Sequence, residues 1–383
     1  MTTVSLASRT RRKTGDDRMR HLIFIFFVLV LGPRCGAAMP DDDFTAHTVD
    51  AVSALQHWYN PNTGLWKHTG WWNSANCLQG VEAALTLSHD QKDQAVIENT
   101  FNRNAANNFL NDYYDDEGWW AEAWIHAYDL TGQARYLNAA KIIFQDMTNG
   151  WDGHCDGGLW WSKKRTYKNA IPNELFLLVA IRLHQRTAGD GGPGSYFYWA
   201  TNEWRWFQAS GMLNSHNLVN DGLTSDCLNN GGTTWTYNQG VILGALADLY
   251  KVTGETNYLA RAEAIADASI STLIDQDGVL TEPCESNGCH GGNVPQFKGI
   301  FIRNLAYLYS VDRKPAYLDF ISRSAHSVWE NDRNNKNQLG LKWAGPFDSA
   351  DPARQSSAVM ALAALAELKT TNVWLSPQNR SIR

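Results

Sequence analysis

Two aspartates stand side by side in the stretch Tyr113-Tyr114-Asp115-Asp116-Glu117-Gly118-Trp119-Trp120. A protonated carboxyl can donate a proton, and an ionised one can accept a proton or attack as a nucleophile. Two carboxyls held together push their pKa values apart, so acid and anion coexist near one pH. A pair of tyrosines precedes them and a pair of tryptophans follows. Aromatic faces hold the apolar faces of sugar rings, so the stretch combines acid–base chemistry with a surface for carbohydrate.

An aspartate ahead of a helix commonly serves as its N-cap. The pattern predicts a helix from about Glu117 to Tyr128, with Asp115 and Asp116 just before it. One residue suffices for capping, so the second carboxylate is left over for chemistry. Adjacent Cα atoms lie about 3.8 Å apart, which allows diverging carboxyls a separation of about 5 Å. That spacing suits a displacement with retention at an anomeric carbon and is too short to admit the water of an inverting mechanism. A helix N-terminus also favours whichever residue stays ionised.

The elements that must position this pair repeat along the chain. Tyr128-Asp129-Leu130-Thr131-Gly132 leads to Tyr136-Leu137, and Tyr250-Lys251-Val252-Thr253-Gly254 leads to Tyr258-Leu259. Tyr309-Ser310-Val311 leads to Tyr317-Leu318 in the same way, and a degenerate copy spans Leu183 to Tyr196. Each reads as a helix stopped at a Thr-Gly turn, with the next helix starting before Tyr-Leu. Helical apolar spacing runs through Leu137–Met147, Val241–Leu249 and Ile300–Tyr309, and sustained strand alternation is absent. A repeat of about 60 residues gives about six hairpins in the body. The expected fold is all-α, an (α/α)6 barrel of six helical hairpins.

Gly- and aromatic-rich stretches separate the hairpins: 67–72, 113–120, 151–161, 220–237 and 277–292. They are expected at one rim of the barrel. In the doublets Trp71-Trp72, Trp119-Trp120 and Trp160-Trp161, one ring is expected to pack inward and the other to face a cleft. Asp221 and Asp226 lie in a loop leading to Thr233-Thr234-Trp235-Thr236-Tyr237-Asn238-Gln239-Gly240. That stretch reads equally as capping and turn chemistry or as hydrogen-bond partners for sugar hydroxyls.

The first residues have the order of a secretory signal. Basic residues from Arg9 to Arg20 precede an apolar run, Leu22–Leu31, and small residues follow at Gly36-Ala37-Ala38. Residues 1–38 are expected to be removed, leaving 39–383 as a single catalytic domain of a secreted, extracellular monomer. No stable membrane association is expected after signal removal. Without the leader the formal charge falls from -6 to about -11, a balance that argues against nucleic acid as a partner. Seventeen Trp and fourteen Tyr exceed what packing requires and fit a carbohydrate cleft.

Cys284 and Cys289 bracket a turn and can close a small disulfide loop. Cys155 and Cys227, both in Gly-rich loops, form a second candidate pair, and Cys77 then remains as a buried thiol. No metal-ligand spacing supports a zinc site at His154, Cys155, Cys289 and His290. A glycosylation sequon stands at Asn379-Arg380-Ser381.

On these residues the chain resembles glycoside hydrolase family 76, the endo-α-1,6-mannanases. The matching segments are Tyr114–Trp120, Gly157-Gly158-Leu159-Trp160-Trp161, Lys168-Asn169-Ala170-Ile171-Pro172-Asn173-Glu174-Leu175, Asn220-Asp221-Gly222-Leu223, Trp235–Gly240 and Phe297-Lys298-Gly299-Ile300-Phe301. They span nearly the whole body in order. The resemblance implies an (α/α)6 fold, retention of configuration, and no metal or organic cofactor. It implies Asp115 as nucleophile and Asp116 as general acid/base. The expected substrate is the α-1,6-linked mannose backbone or a manno-oligosaccharide. Trp119, Trp120, Trp160, Asn173, Asp221, Trp235, Tyr237, Asn238, Gln239 and Lys298 are the expected substrate-binding residues. A mannan transglycosylase and a non-catalytic mannan-binding protein are the alternatives.

Overall fold

The computed structural model describes residues 43–289 and 292–375. The leader at 1–38, His290 and the sequon at 379–381 lie outside the described residues. Among the described residues twelve α-helices follow one another: α1 (Phe44–Leu55), α2 (Trp71–Ser88), α3 (Gln91–Asn104), α4 (Tyr114–Thr131), α5 (Ala134–Met147), α6 (Ala170–Gln185), α7 (Tyr196–Ala209), α8 (Thr236–Thr253), α9 (Thr256–Thr272), α10 (Phe297–Asp312), α11 (Pro315–Asn331) and α12 (Pro352–Leu375). The one named sheet among the described residues is a two-stranded antiparallel ribbon of Tyr59–Asn60 with Leu65–Trp66.

The even-numbered helices form a closed inner ring. α2 packs on α4, α4 on α6, α6 on α8, α8 on α10, α10 on α12, and α12 returns to α2. The odd-numbered helices lie outside, each against an inner neighbour. The sequence dictates this division. From Ala170 to Leu183 every residue of α6 is buried, and from Thr236 to Leu249 every residue of α8 is buried. A helix buried on all sides must be surrounded by others. In α3 only Ile97 and Thr100 are buried, as befits a helix with a single inward stripe. Two inner helices come within backbone contact because Gly240 carries no side chain: a Cβ there would stand 2.6 Å from the Cα of Phe301. The all-α barrel of six hairpins expected from the repeat is the fold observed.

The two ends of the barrel are connected differently. Inner helices mostly pass to outer ones through tight turns, with Gly132 and Gly254 in the left-handed region at φ 68° and 73°; only α6 reaches α7 through a longer segment, 186–195. Arg313 takes the same role at φ 60° after α10. Outer helices return to inner ones through long segments at 56–70, 105–113, 148–169, 210–235, 273–296 and 332–351. All six long segments therefore meet the N-termini of the inner helices at one rim.

One boundary differs from the sequence expectation. α4 begins at Tyr114 with Tyr113 as N-cap, so Asp115 and Asp116 sit inside the first turn and neither is the N-cap. The chain is turned into the helix by Asn111, whose Oδ1 accepts the Tyr113 N–H at 2.8 Å. This local bond removes the need for an aspartate cap and leaves both carboxyls for other work.

Candidate active site

A cavity of about 270 Å3 opens at the rim. Trp72 comes from the start of α2, Asp115 and Trp119 from α4, Tyr237 from α8 and Phe297 from α10; Trp161, Tyr167, Asn169, Asp221 and Asn293 come from the rim loops. The rings form one wall. Trp119 stacks with Trp72 at a centroid distance of 5.7 Å and with Tyr237 at 6.4 Å, and Tyr237 lies parallel to Phe297 at 3.8 Å.

The carboxyl pair stands opposite polar partners. Trp161 Nε1–H donates to Asp115 Oδ2 at 3.0 Å, while Asp115 Oδ1 has no protein partner. Asp116 Oδ2 accepts from Asn111 Nδ2 at 2.6 Å. Burial pushes the Asp115 carboxyl up to about 8, with the neighbouring Asp116 charge adding to it against the Trp161 and first-turn N–H bonds. Burial also pushes Asp116 up to about 6, opposed by the Asn111 bond. As a coupled pair, the two carboxyls therefore hold one proton between about pH 6 and about 8. Burial is deeper at Asp115 and raises it more, whereas the resemblance casts Asp116 as the proton carrier.

On the far wall Tyr167 Oη–H donates to Asp221 Oδ2 at 2.5 Å, and Asn230 Nδ2 donates to Tyr167 Oη at 2.9 Å. Asn169 Oδ1 is a buried acceptor without a partner. Such acceptors and donors suit hydroxyl groups, each of which donates one hydrogen bond and accepts two.

Of the residues singled out from the sequence, Asp115, Trp119, Asp221 and Tyr237 line the cavity. Asp116 stands next to it in the first turn. Trp235 lies behind, edge-on to Phe297 and bonded to Asp221. The remaining expectations need correction. Trp120 is fully buried among Trp71, Phe109 and Trp124 and belongs to the core. A helix turns about 100° per residue, so adjacent rings of α4 cannot face the same way. Trp160 is turned away, with its N–H on Asp152 and its ring on His154. Its neighbour Trp161 faces the cleft, as Trp72 does beside the buried-side ring Trp71.

Asn173, Gln239 and Lys298 serve the loops rather than a ligand. Asn173 bonds both the N–H and the carbonyl of Leu159, Gln239 does the same for Val219, and Lys298 Nζ donates to the Leu341 carbonyl and pairs with Glu285. Gln355 on α12 accepts the Leu339 N–H and donates to the Ala51 and Asn337 carbonyls. Each sits in the first turn of an inner helix and clamps a rim loop. Asn238 is fully buried next to this ring of clamps, away from the cavity.

The Gly-Gly-Leu-Trp-Trp loop has its own fastener. Lys168 Nζ donates to Asp152 and to the carbonyls of His154, Gly157 and Gly158, at 2.7–2.9 Å. Gly158 has φ +80°, and a Cβ there would lie 2.2 Å from the Trp206 ring, so only glycine fits. A disulfide, Cys155–Cys227, ties this loop to the one carrying Asp221, and Cys284–Cys289 closes the small turn. Cys77 is the free, buried thiol among the described residues. His154, Cys155 and Cys227 lie close enough to hold a metal ion, but the two sulfurs are bonded to each other.

Sequence reasoning missed Trp72, Trp161, Tyr167, Asn169, Asn293 and Phe297 as lining residues. The signal was present for several of them, because Trp72 and Trp161 belong to the flagged doublets and Asn169 and Phe297 to the flagged segments.

Glycosyl hydrolase family 76 matches this chain over residues 44–375. Among curated proteins, a mannan endo-1,6-alpha-mannosidase of Candida albicans, DFG5, is 26% identical over 263 residues, covering 61% of this chain and 57% of that protein. A putative mannan endo-1,6-alpha-mannosidase of Schizosaccharomyces pombe is 28% identical over 207 residues, covering 50% of this chain and 46% of that protein. The chain thus spans about half the length of these curated relatives. Among solved structures, the Lin0763 protein of Listeria innocua superposes with a TM-score of 0.76 at 25% identity, covering 86% of this chain and 99% of that one. A Salegentibacter GH76A α-1,6-mannanase, solved with α-1,6-mannotriose as an inactive variant with two successive aspartates changed to asparagine, gives 0.75 at 22% identity, with coverages of 85% and 100%.

Proposed function

The chain belongs to glycosyl hydrolase family 76, and from that premise we propose that it is a secreted, retaining endo-α-1,6-mannanase. The observation that carries this reading is the Asp115–Asp116 pair, both carboxyls raised by burial, beside a wall of four aromatic rings. The Salegentibacter relative made inactive by changing two successive aspartates supports a pair of adjacent aspartates as the reacting groups.

A mannose unit rests its apolar face on Trp72, Trp119 and Tyr237, while Asp221, Asn169 and Tyr167 receive its hydroxyls. Asp115 faces the anomeric carbon and attacks it. The shared proton passes to Asp116, which delivers it to the leaving glycosidic oxygen. Positive charge developing on the sugar favours the anion at Asp115, and the Trp161 N–H and the α4 N-terminus stabilise that anion further. Asp116 then takes a proton from water, which attacks the anomeric carbon and releases Asp115.

The reading is tested with linear α-1,6-mannan and the mature chain. Progressive shortening of the polymer, with new reducing ends appearing inside the chain, is expected. Intact polymer after prolonged incubation would overturn the assignment, and longer products in place of shorter ones would move it to transglycosylation.

A further inference from the structure

The opposite mouth of the barrel holds a second and larger cavity, about 410 Å3, which shares no lining residue with the first. Its walls are the C-terminal halves of the inner helices. Most of its charges are already paired. Arg182 binds Glu122 and Asp248, and Arg186 binds Asp129.

Three lining side chains are not fully engaged. Glu82 is 2% exposed, and neither of its carboxyl oxygens has a hydrogen-bond partner; the His126 ring, which burial keeps neutral, stands at 3.8 Å through Nδ1. Gln79, 4% exposed, has an unpartnered Nε2. Arg303 spends Nη1 on Asn76 and Gln79 and leaves Nη2 without a partner. Buried polar groups without partners are costly, and here acceptors and donors occur together on α2 and α10.

The mixture selects the ligand. Burial raises the Glu82 carboxyl well above its usual range, so it can donate as well as accept; a bare cation would face Arg303, and an anion would face the Asp129 and Asp248 carboxylates. A hydroxyl accepts from a guanidinium or amide and donates to a carboxyl oxygen. Tyr307, the one Phe, Tyr or Trp ring among the described lining residues, already carries Arg182 and Lys251 against it, so recognition rests on hydrogen bonds rather than on stacking. We propose that this mouth is a second saccharide site, which takes a mono- or disaccharide through hydroxyls bonded to Glu82, Gln79 and Arg303. Without a stacking surface its affinity is weak, in the millimolar range.

Mannose is the probe because of the mannanase reading; the site itself does not depend on that reading. D-mannose and α-1,6-mannobiose are titrated into the full chain by calorimetry and ligand-observed NMR. Two binding events are expected. Glu82→Leu, which removes both acceptors, and Ala83→Phe, which fills the cavity, should each abolish one event and leave mannan cleavage and the other event within about twofold of the parent. Binding in Ala83→Phe that matches the parent protein would overturn the second site, whether or not Glu82→Leu folds. Loss of cleavage and of the cleft event in the parent protein, with a Glu82-dependent event remaining, would sink the mannanase reading and keep this site.

Discussion

The two mouths of the barrel are built from the same six helices, yet they are lined differently. At the rim the helices present their N-termini, and the charged groups in the first turn of α4 are Asp115, Asp116 and Glu117, whose ionised forms the helix dipole favours. At the other mouth Arg182, Arg186 and Arg303 stand among Glu82, Asp129, Asp248 and Glu367, most of them joined in ion pairs. Loop length does the rest. Long rim segments can bring Trp161, Asn169 and Asp221 over the cavity, whereas tight turns such as Gly132 and Gly254 add nothing across the other mouth. One end can therefore evolve a cleft by changing loops, while the other is limited to what its helix ends supply.

The largest effect that sharpens this contrast is at the rim. Asp115→Asn and Asp116→Asn should each lower kcat by about 1000-fold or more, in the range of a lost nucleophile or acid, while thermal unfolding stays within a few degrees of the parent. Unchanged turnover in either variant would remove that residue from the reaction. At the opposite mouth the sign reverses between activity and stability. Asp248→Ala strips a buried partner from Arg182 and should cost about 3–5 kcal/mol of stability, read by denaturant unfolding, with normal turnover of the folded fraction. Trp120→Ala belongs with this structural class despite its place in the motif. It should cost about 3–5 kcal/mol and leave KM unaltered; a large KM change would put the ring back in the cleft.

Trp161→Phe keeps a ring and deletes one N–H. Losing a bond that favours the Asp115 carboxylate should lower kcat about tenfold and move the alkaline limb of the pH profile upward. The smallest effect is in pH itself. The pair must hold one proton, so kcat/KM should be bell-shaped. Activity falls as pH drops through about 6, when the charged member is protonated, and again above about 8, when the acid is lost. A rate flat across that window would detach activity from the pair.

Much of the fold was legible because helix ends and burial periodicity are local. The Thr-Gly stops, the Tyr-Leu restarts and the Gly-rich segments sit where the sequence put them, and Cys155–Cys227 and Cys284–Cys289 join as their loops suggested. The candidate carboxyl pair was legible too, since two adjacent aspartates between aromatic doublets can be read directly from the chain, and Asp115 does line the rim cavity. What escaped was side-chain direction. Trp119 and Trp120 are one residue and about 100° apart, and only the packed ring of helices decides which faces the cavity. Asn173, Gln239 and Lys298 looked like ligand contacts because they are polar and flank the motifs. Their work is to hold backbone groups of the rim loops, a demand that comes from distant residues such as Leu159, Val219 and Leu341.

The central claim is that Asp115 and Asp116 act as a close pair with retention of configuration. Proton NMR of linear α-1,6-mannan during the first minutes of cleavage tests it most directly. The account requires the new reducing ends to appear first as the α-anomer and only later to mutarotate, and a first-formed β-anomer would contradict it.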